Sequence, residues 1–343
     1  MNIEPLRMNL LGRWLVHPCR VLSVPVLVLA LVLANRAMAQ VAPAQPPAPS
    51  ESLAASIQLD FPAASGVLSQ DRQSCLLIGG HSLARLDLQS MQVVQQHNLE
   101  SYVFSAIAAL QNTVVVAGAA DIENGFVGRC RYDDLSQFEW INDDLEFPAT
   151  SVCAAGDLVI AGNERGELMA FAAGRGELRW KKSLHSKLVT SLAALGEQQC
   201  ASSDWTGKLI IFDTTDGHAQ TDFQQHRDRV TALATPNPIS ASSPVRLFSG
   251  SRDGTARLWY ADQRRLVRFV QLESPVTSIA VLDEALIVAA TRDARLHVID
   301  MSAAKVIRDY APSLQYITHV VALDNRHVLA LDGRGSAQAL KLH

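Results

Sequence analysis

One pattern of apolar and turn residues recurs about every 42 residues from residue 56 to the end of the 343-residue chain. Each copy has two apolar stretches, a turn rich in Gly, Asp and Arg, a third stretch that ends aromatic or aliphatic, and a fourth amphipathic stretch. The third stretches end at positions 87, 133, 172, 213, 260, 300 and 341, which lie 46, 39, 41, 47, 40 and 41 residues apart. A repeat of this kind buries its apolar faces by stacking neighbouring copies. The sequence therefore predicts a repeat architecture.

The stretches are short, rich in Val, Ile, Leu and Ala, and separated by turn residues, which is typical of β-strands. No stretch keeps a 3.6-residue apolar period over ten or more residues, so a helical repeat is excluded. Four strands per copy predict the blade of a β-propeller. Seven copies of the first three strands are present, and residues 56–68 parallel residues 269–281. We therefore expect an all-β fold of seven four-stranded antiparallel blades, with an N-terminal strand completing the last blade and protecting its edge.

Residues 249–260, SGSRDGTARLWY, resemble the signature of the WD-repeat (tryptophan-aspartate repeat) propeller family, and the other copies are degenerate. The resemblance implies ring closure by one N-terminal strand. It also implies a hydrogen-bonded tetrad of His, Ser or Thr, Asp and Trp within a blade. The matching residues of the fifth copy are His226, Ser249 or Ser251, Asp253 and Trp259.

His, Ser and Asp are also the three residue types of a catalytic triad. In the WD-repeat family this set is buried and braces strands, so the resemblance implies a structural role.

Residues 80–84, GHSLA, come near a nucleophile elbow, but Ala84 replaces the last glycine and the segment joins two strands rather than a strand and a helix. No HExxH, P-loop, dinucleotide or EF-hand motif occurs. We expect no enzyme activity, cofactor or metal site, and a hydrolase site at the channel mouth stays an alternative.

Residues 167–180, ELMAFAAGRGELRW, are similar to the repeat of pyrroloquinoline-quinone-type propellers, in which a turn with Gly precedes a Trp. This second resemblance implies, as an alternative function, an outer-membrane assembly or envelope role. The enzymes of that fold family are longer and carry an adjacent cysteine pair beside the cofactor. This sequence has no such pair.

Residues 1–39 have the pattern of a secretory signal peptide, with arginines, an apolar run over 21–34 and an Ala37-Met38-Ala39 site. The run is shorter than the roughly 20 residues of a membrane span, so we expect cleavage after Ala39, with an uncleaved N-terminal anchor as the alternative. Residues 40–55, rich in Pro and Ala, predict an extended linker before a propeller over 56–343. The expected location is periplasmic or secreted, and translation from Met1 or Met8 stays open.

The chain carries 30 Lys and Arg against 34 Asp and Glu, so no basic excess favours nucleic-acid binding. Cleavage after Ala39 would remove four arginines and one glutamate and take the net charge from −4 to −7. Four cysteines would remain, each within an apolar strand-like run, which favours buried thiols. Export also makes disulfides possible, so the oxidation state is left open for Cys75, Cys130, Cys153 and Cys200.

The turns between second and third strands, and the loops into first strands, share one face of a WD-repeat propeller. In this sequence they carry Arg165, Lys187, Trp205, Arg227, Arg229, Arg252, Arg292 and Arg334, which we call the arginine face. Arg and Trp are enriched at interface hot spots, and Arg forks fit carboxylates. We predict an exported binding or scaffold protein whose partner is a protein, with an acidic protein as one option, or a ligand. In the alternative, each Arg pairs with its neighbouring Asp, as Arg252 could with Asp253. The oligomeric state is open.

Overall fold

The computed structural model describes residues 55–236 and 244–342. The predicted signal peptide and residues 40–54 of the predicted linker lie outside these residues. Within them, 28 strands form seven four-stranded antiparallel sheets, so the predicted seven-bladed all-β propeller is confirmed.

Blade 1 comprises β2 (Ser65–Leu68), β3 (Ser74–Gly79), β4 (Ser82–Asp87) and β5 (Gln92–Asn98). Blade 2 comprises β6 (Val103–Leu110), β7 (Thr113–Ala119), β8 (Gly125–Arg131) and β9 (Glu139–Leu145). Blade 3 comprises β10 (Ala149–Ala155), β11 (Leu158–Asn163), β12 (Glu167–Ala172) and β13 (Leu178–Ser183).

The remaining four blades follow the same order. Blade 4 comprises β14 (Val189–Ala194), β15 (Gln199–Asp204), β16 (Leu209–Asp213) and β17 (Ala219–Phe223). Blade 5 comprises β18 (Val230–Ala234), β19 (Arg246–Ser251), β20 (Thr255–Tyr260) and β21 (Arg265–Gln271). Blade 6 comprises β22 (Val276–Val281), β23 (Leu286–Thr291), β24 (Leu296–Asp300) and β25 (Lys305–Tyr310). Blade 7 comprises β26 (Ile317–Ala322), β27 (His327–Asp332), β28 (Ser336–Lys341) and the N-terminal strand β1 (Ser56–Gln58).

The apolar core is divided among the seven junctions between neighbouring blades. Alternate residues of one strand point to opposite sides of a sheet, so Leu76 and Ile78 of β3 pack toward blade 2, whereas Cys75 and Leu77 pack toward blade 7. A strand buried on both sides requires a continuous apolar run. Strand β11, LVIAGN, is accordingly buried at every position, whereas β13 at the rim is buried only at Trp180.

A repeated hydroxyl connects the innermost strands. Six of these strands have a register shift at one Ser or Thr, namely Ser105, Thr150, Thr190, Thr231, Thr277 and Thr318. A bulge of this kind bends a strand and redirects a side chain. Three of the hydroxyls reach a carbonyl oxygen of the next blade: Thr150 Oγ1 lies 2.6 Å from Val189 O, Thr231 Oγ1 lies 2.9 Å from Val276 O, and Thr318 Oγ1 lies 2.8 Å from Ala63 O.

The ring closes through β1, as the sequence predicts. Strand β1 pairs with β28 from Ser56 opposite Gln338 to Gln58 opposite Ser336. Beyond it, Leu59 and Phe61 are buried between blades 7 and 1. Gly335 permits this approach because its φ is +90° and a Cβ there would lie 2.7 Å from Phe61 O. The N-terminal segment thus closes the ring by the backbone pairing of β1 with β28 and by the burial of Leu59 and Phe61.

Deletion of residues 56–61 should lower the melting temperature by roughly 10–20 °C, because it removes two buried side chains worth about 2–5 kcal/mol each and leaves an unpaired edge. Differential scanning calorimetry measures the change. Asp60→Asn alters an exposed side chain of the same segment and should leave the melting temperature nearly unchanged. A deletion variant that melts with the parent would contradict closure through β1.

Candidate functional site

The seven innermost strands line a central channel of about 670 Å³. Small hydroxyl and aliphatic side chains from all seven blades form most of its wall. Its charged residues are Arg229, Arg252 and Arg292, and no Asp or Glu is among the described residues that line it. Tyr316 and Thr318 of blade 7 complete this part of the wall. We call the end formed by Arg229, Arg252, Arg292 and Tyr316 the channel mouth.

Backbone hydrogen bonds place these arginines on the same face. Arg252 lies in the turn between β19 and β20, and its N–H donates to Arg229 O, 2.9 Å away, in the loop into β18. Arg292 lies in the corresponding turn of blade 6, and its N–H donates to Pro275 O at 2.9 Å in the loop into β22. Each bond ties a turn between second and third strands to a loop into a first strand. The arginine face therefore includes residues from both kinds of connection.

The turn aspartates do not neutralise these arginines. Asp253 accepts hydrogen bonds from His226 and Thr255 and lies 3.6 Å from Arg257, but forms no ion pair with Arg252. Burial opposes ionisation of Asp253, but the hydrogen bonds from His226 and Thr255 outweigh it and hold the pKa of Asp253 well below its usual value. Arg292 likewise has no ion pair within 4.0 Å among residues 55–236 and 244–342. The geometry does not contain the Arg–Asp pairs of the alternative interpretation.

Arg229 is the most constrained cation at the channel mouth. Its guanidinium lies over the ring of Trp205, 4.6 Å from the centroid, which is a cation–π contact. Its Nε is buried and has no hydrogen-bond partner in the described part of the chain. Burial, and then the positive charge of Arg252, lowers the pKa of Arg229 from its usual value. The stacking fixes the guanidinium plane, and the buried Nε keeps an N–H donor without an acceptor among the described residues.

The other predicted residues of the arginine face lie around the mouth but not in the channel wall. Arg165 lies over Phe147 at 4.9 Å and 3.8 Å from Glu164. Arg334 hydrogen-bonds to Gln315. Lys187 and Arg227 are exposed, and neither side chain forms an ion pair with a described residue. The structure thus places three of the seven predicted cations in the channel wall. The other four lie around the mouth, and we call their positions the rim.

Sequence reasoning missed Tyr316, His319 and the wall hydroxyls. The hydroxyls had a visible signal, because VT or IT opens the innermost strands at 189, 230, 276 and 317. His319 occupies a wall position where Ser151, Ser191 and Ser278 stand in other blades. Burial lowers the pKa of His319 to about 4, although a backbone hydrogen bond at Gly66 opposes the shift. This imidazole is therefore neutral at pH 7.

The predicted tetrad residues meet in blade 5, with Ser249 rather than Ser251 as the hydroxyl. Burial lowers the pKa of His226 despite the opposing hydrogen bond to Asp253, so its ring is neutral and Nδ1–H donates to Asp253 Oδ2 at 3.0 Å. Nε2 then accepts from Ser249 Oγ at 2.7 Å, and Trp259 Nε1 donates to the same oxygen at 2.8 Å. Ser251 instead donates to Asp228 O. Ser249 and Trp259 are fully buried, so a substrate has no access to the hydroxyl.

Blade 4 contains a shorter version of this network. His185 lies 3.1 Å from Asp204 Oδ2 and 2.8 Å from Ser202 Oγ. Phe212 occupies the Trp position, so the indole donor is missing. In each of the two blades, the histidine contacts both a carboxylate at the turn and a serine of the second strand, and it thereby connects these two parts of the blade.

The cysteines are poor candidates for chemistry. Cys75, Cys130, Cys153 and Cys200 are buried free thiols. Burial, together with Asp134, raises the pKa of Cys130 to about 12, which suppresses the reactive thiolate. In the described ranges, no three His, Cys, Asp or Glu side chains are grouped to hold a metal ion. Those ranges also contain no helix with the length and apolarity to cross a membrane.

A family model, PQQ_2, described as outer membrane protein assembly factor BamB, matches residues 134–311, just over half of the chain. The chain belongs to the PQQ_2 family. The match runs from before β9 to the end of β25 and includes residues 167–180, where the sequence resembles quinone-type propellers. The family is therefore the one indicated by the resemblance of residues 167–180 to quinone-type propellers.

WD-repeat proteins are also similar to this PQQ_2 chain. It is 29% identical over 159 residues to Protein SPA1-RELATED 3 of Arabidopsis thaliana and 42% identical over 60 residues to WD repeat-containing protein 18 of Homo sapiens. These matches cover 40% and 18% of the chain, and the chain spans only 18% and 13% of those proteins.

Two solved structures show the same fold as this PQQ_2 propeller. The WD40 propeller domain of Doa1 has a TM-score of 0.69 at 13% identity, covering 84% of this chain and 95% of that one. The computationally designed Ika8 protein has a TM-score of 0.63 at 16% identity, covering 83% and 98%. The WD-like propeller fold predicted from the sequence is confirmed.

Trp259→Phe should destabilise the PQQ_2 propeller by about 1–3 kcal/mol, because the buried Ser249 hydroxyl loses its indole donor. Urea unfolding followed by circular dichroism measures this change. The matched control is Trp205→Phe, at an indole that is 45% exposed and whose replacement should cost about 0.5 kcal/mol or less. Equal effects of the two variants would refute the bracing role of Trp259.

Acidification from pH 7.5 to pH 5 should weaken folding, and His319 should account for about 2 kcal/mol of the loss. The unfolded chain protonates this histidine near pH 6.5, whereas the folded chain does so only near pH 4, so stability falls across that window as the pH falls. The stability due to the low pKa of Asp253 is lost mainly below pH 4.

Urea unfolding at the two pH values tests this assignment. His319→Gln should reduce the pH-dependent loss, whereas His218→Gln, at an exposed turn residue, should leave it unchanged. The same loss in the parent and in His319→Gln would show that His319 does not titrate in this way.

Proposed function

We propose that this protein is an exported, non-enzymatic scaffold of the cell envelope that presents its arginine face to an acidic protein partner. Membership in a family described by an outer-membrane assembly factor supports the envelope location, and the signal-peptide pattern of residues 1–39 supports export. The decisive observation is the set of cations on one face that form no ion pair with a described residue: Lys187, Arg227, Arg229, Arg252 and Arg292.

Electrostatics favours an acidic partner for this face. The chain is acidic as a whole, so a local group of unpaired cations creates a field of opposite sign at one end of the ring. Such a field steers an oppositely charged protein and fixes its orientation. Arg and Trp, which are frequent at binding hot spots, occur together where Arg229 stacks on Trp205.

The propeller supplies a rigid platform for this binding. Residues that bind partners commonly lie on loops positioned by a rigid scaffold, and here the seven blades hold the turns in a ring. Catalysis by the His226 network is disfavoured because Ser249 is fully buried beneath Trp259. The face has exposed donors and aromatic surface, which suffice for recognition.

Reversal of three rim charges should strongly reduce partner capture. The test variant combines Arg165→Glu, Lys187→Glu and Arg227→Glu, and the protein is crosslinked in its native host and recovered from each envelope fraction. We expect at least tenfold lower recovery of an acidic protein, because the reversal removes most of the positive charge that attracts it. Capture should also weaken at high salt.

The matched control changes two arginines and one lysine on the opposite face: Arg175→Glu, Lys305→Glu and Arg326→Glu. These residues are exposed on or beside the turns that join first to second and third to fourth strands. The control should capture as much partner as the parent. Equal capture by all three proteins would refute the arginine face as the binding surface.

A further inference from the structure

The channel mouth concentrates positive charge, and no Asp or Glu is among the described residues that line it. Arg229, Arg252 and Arg292 come from blades 5 and 6 and line one cavity, with Tyr316 of blade 7 beside them. Asp228 accepts a hydrogen bond from the backbone N–H of Arg229 at 2.6 Å and does not line the cavity. Like charges so close repel one another, and an anion with several negative groups would relieve that repulsion.

The donors at the mouth are also arranged in advance. Trp205 holds the plane of the Arg229 guanidinium, and a stacked guanidinium keeps its in-plane N–H groups free for a planar acceptor. Arg229 Nε is a buried donor with no acceptor among the described residues. A carboxylate accepts two parallel N–H bonds from such a fork.

The wall below the mouth offers further polar groups. Thr277 Oγ1 and Ser151 Oγ are buried without a hydrogen-bond partner in the described ranges, and both residues line the cavity. A buried hydroxyl without a partner costs free energy, so a polar ligand that reaches these groups gains affinity. The volume of about 670 Å³ falls within the range of small-molecule sites.

We propose that the channel mouth is a binding site for a polycarboxylate, held by Arg229, Arg252, Arg292 and the hydroxyl of Tyr316. The carboxylates belong either to a free small molecule or to acidic side chains of a protein. In the second case the site is the anchor for the partner proposed above, and the inference then rests on that proposed function.

Citrate is a suitable probe, and isothermal titration calorimetry at low ionic strength measures its binding to the propeller. We expect citrate to bind the parent protein, and triethyl citrate, which has the same skeleton without charge, not to bind. Arg252→Gln and Arg292→Gln should each weaken citrate affinity about tenfold, because each removes a charge-assisted fork. Both side chains are exposed, so the variants should keep the parent's melting temperature.

Arg165→Gln is the matched control, because Arg165 occupies the corresponding turn of blade 3 but does not line the channel. It should bind citrate like the parent. Absence of citrate binding, or equal binding by the parent and an Arg252→Gln/Arg292→Gln double variant, would overturn the proposal. Binding of inorganic phosphate in place of citrate would overturn the carboxylate assignment.

A labelled tri-glutamate peptide with blocked ends distinguishes the two sources. Tighter binding of the peptide than of citrate, with competition between them, assigns the site to a protein partner. Binding of citrate alone assigns it to a free small molecule. Lost capture by the Arg165→Glu/Lys187→Glu/Arg227→Glu variant, together with a failed citrate titration of the parent, would support the scaffold and refute the site, whereas citrate binding without any captured protein would do the reverse.

Discussion

Each blade of this propeller buries its apolar faces only against the two blades beside it, and the rest of the structure depends on that packing. The seven core clusters correspond to the seven blade junctions. A single missing junction would expose two apolar faces at once, which explains why β1 pairs with β28 at the ring closure. Leu59 and Phe61 supply the apolar part of that junction, and β1 supplies the backbone pairing.

Hydrogen bonds within the turns explain why the arginines of the channel mouth have no ion pair with a described residue. The acidic and amide side chains of the turns between second and third strands satisfy backbone N–H groups instead: Asp204 accepts from Thr206 and Lys208, Asp332 accepts from Arg334 and Ser336, and Asn163 accepts from Arg165 and Glu167. Tight turns need such acceptors because their N–H groups have no strand partner. The carboxylate beside Arg252 is engaged in the same way, because Asp253 accepts hydrogen bonds from the backbone N–H groups of Arg227 and Thr255.

The architecture could be predicted from the sequence because repeat length, strand alternation and turn composition are local properties that recur in every copy. The sequence also located the face, since connections of one type lie on one side of every blade. We did not predict which arginines converge, although the position within the turn decides it. Arg252 lies two residues before the left-handed Gly254 and lines the channel, whereas Arg165 lies one residue before the left-handed Gly166 and packs on Phe147. Only an alignment of the turns on these glycines separates the two positions.

Tyr316 and His319 were missed for a related reason. Each is a departure from the repeat at a position where other blades carry a different residue, and a search for similarity passes over such positions. His319 lies in the channel wall where serines stand in other blades, and its burial lowers its pKa to about 4. Departures from a repeat at inward-facing positions are therefore as informative as the repeat itself, because the repeat maintains the ring and the departures give the channel its chemistry.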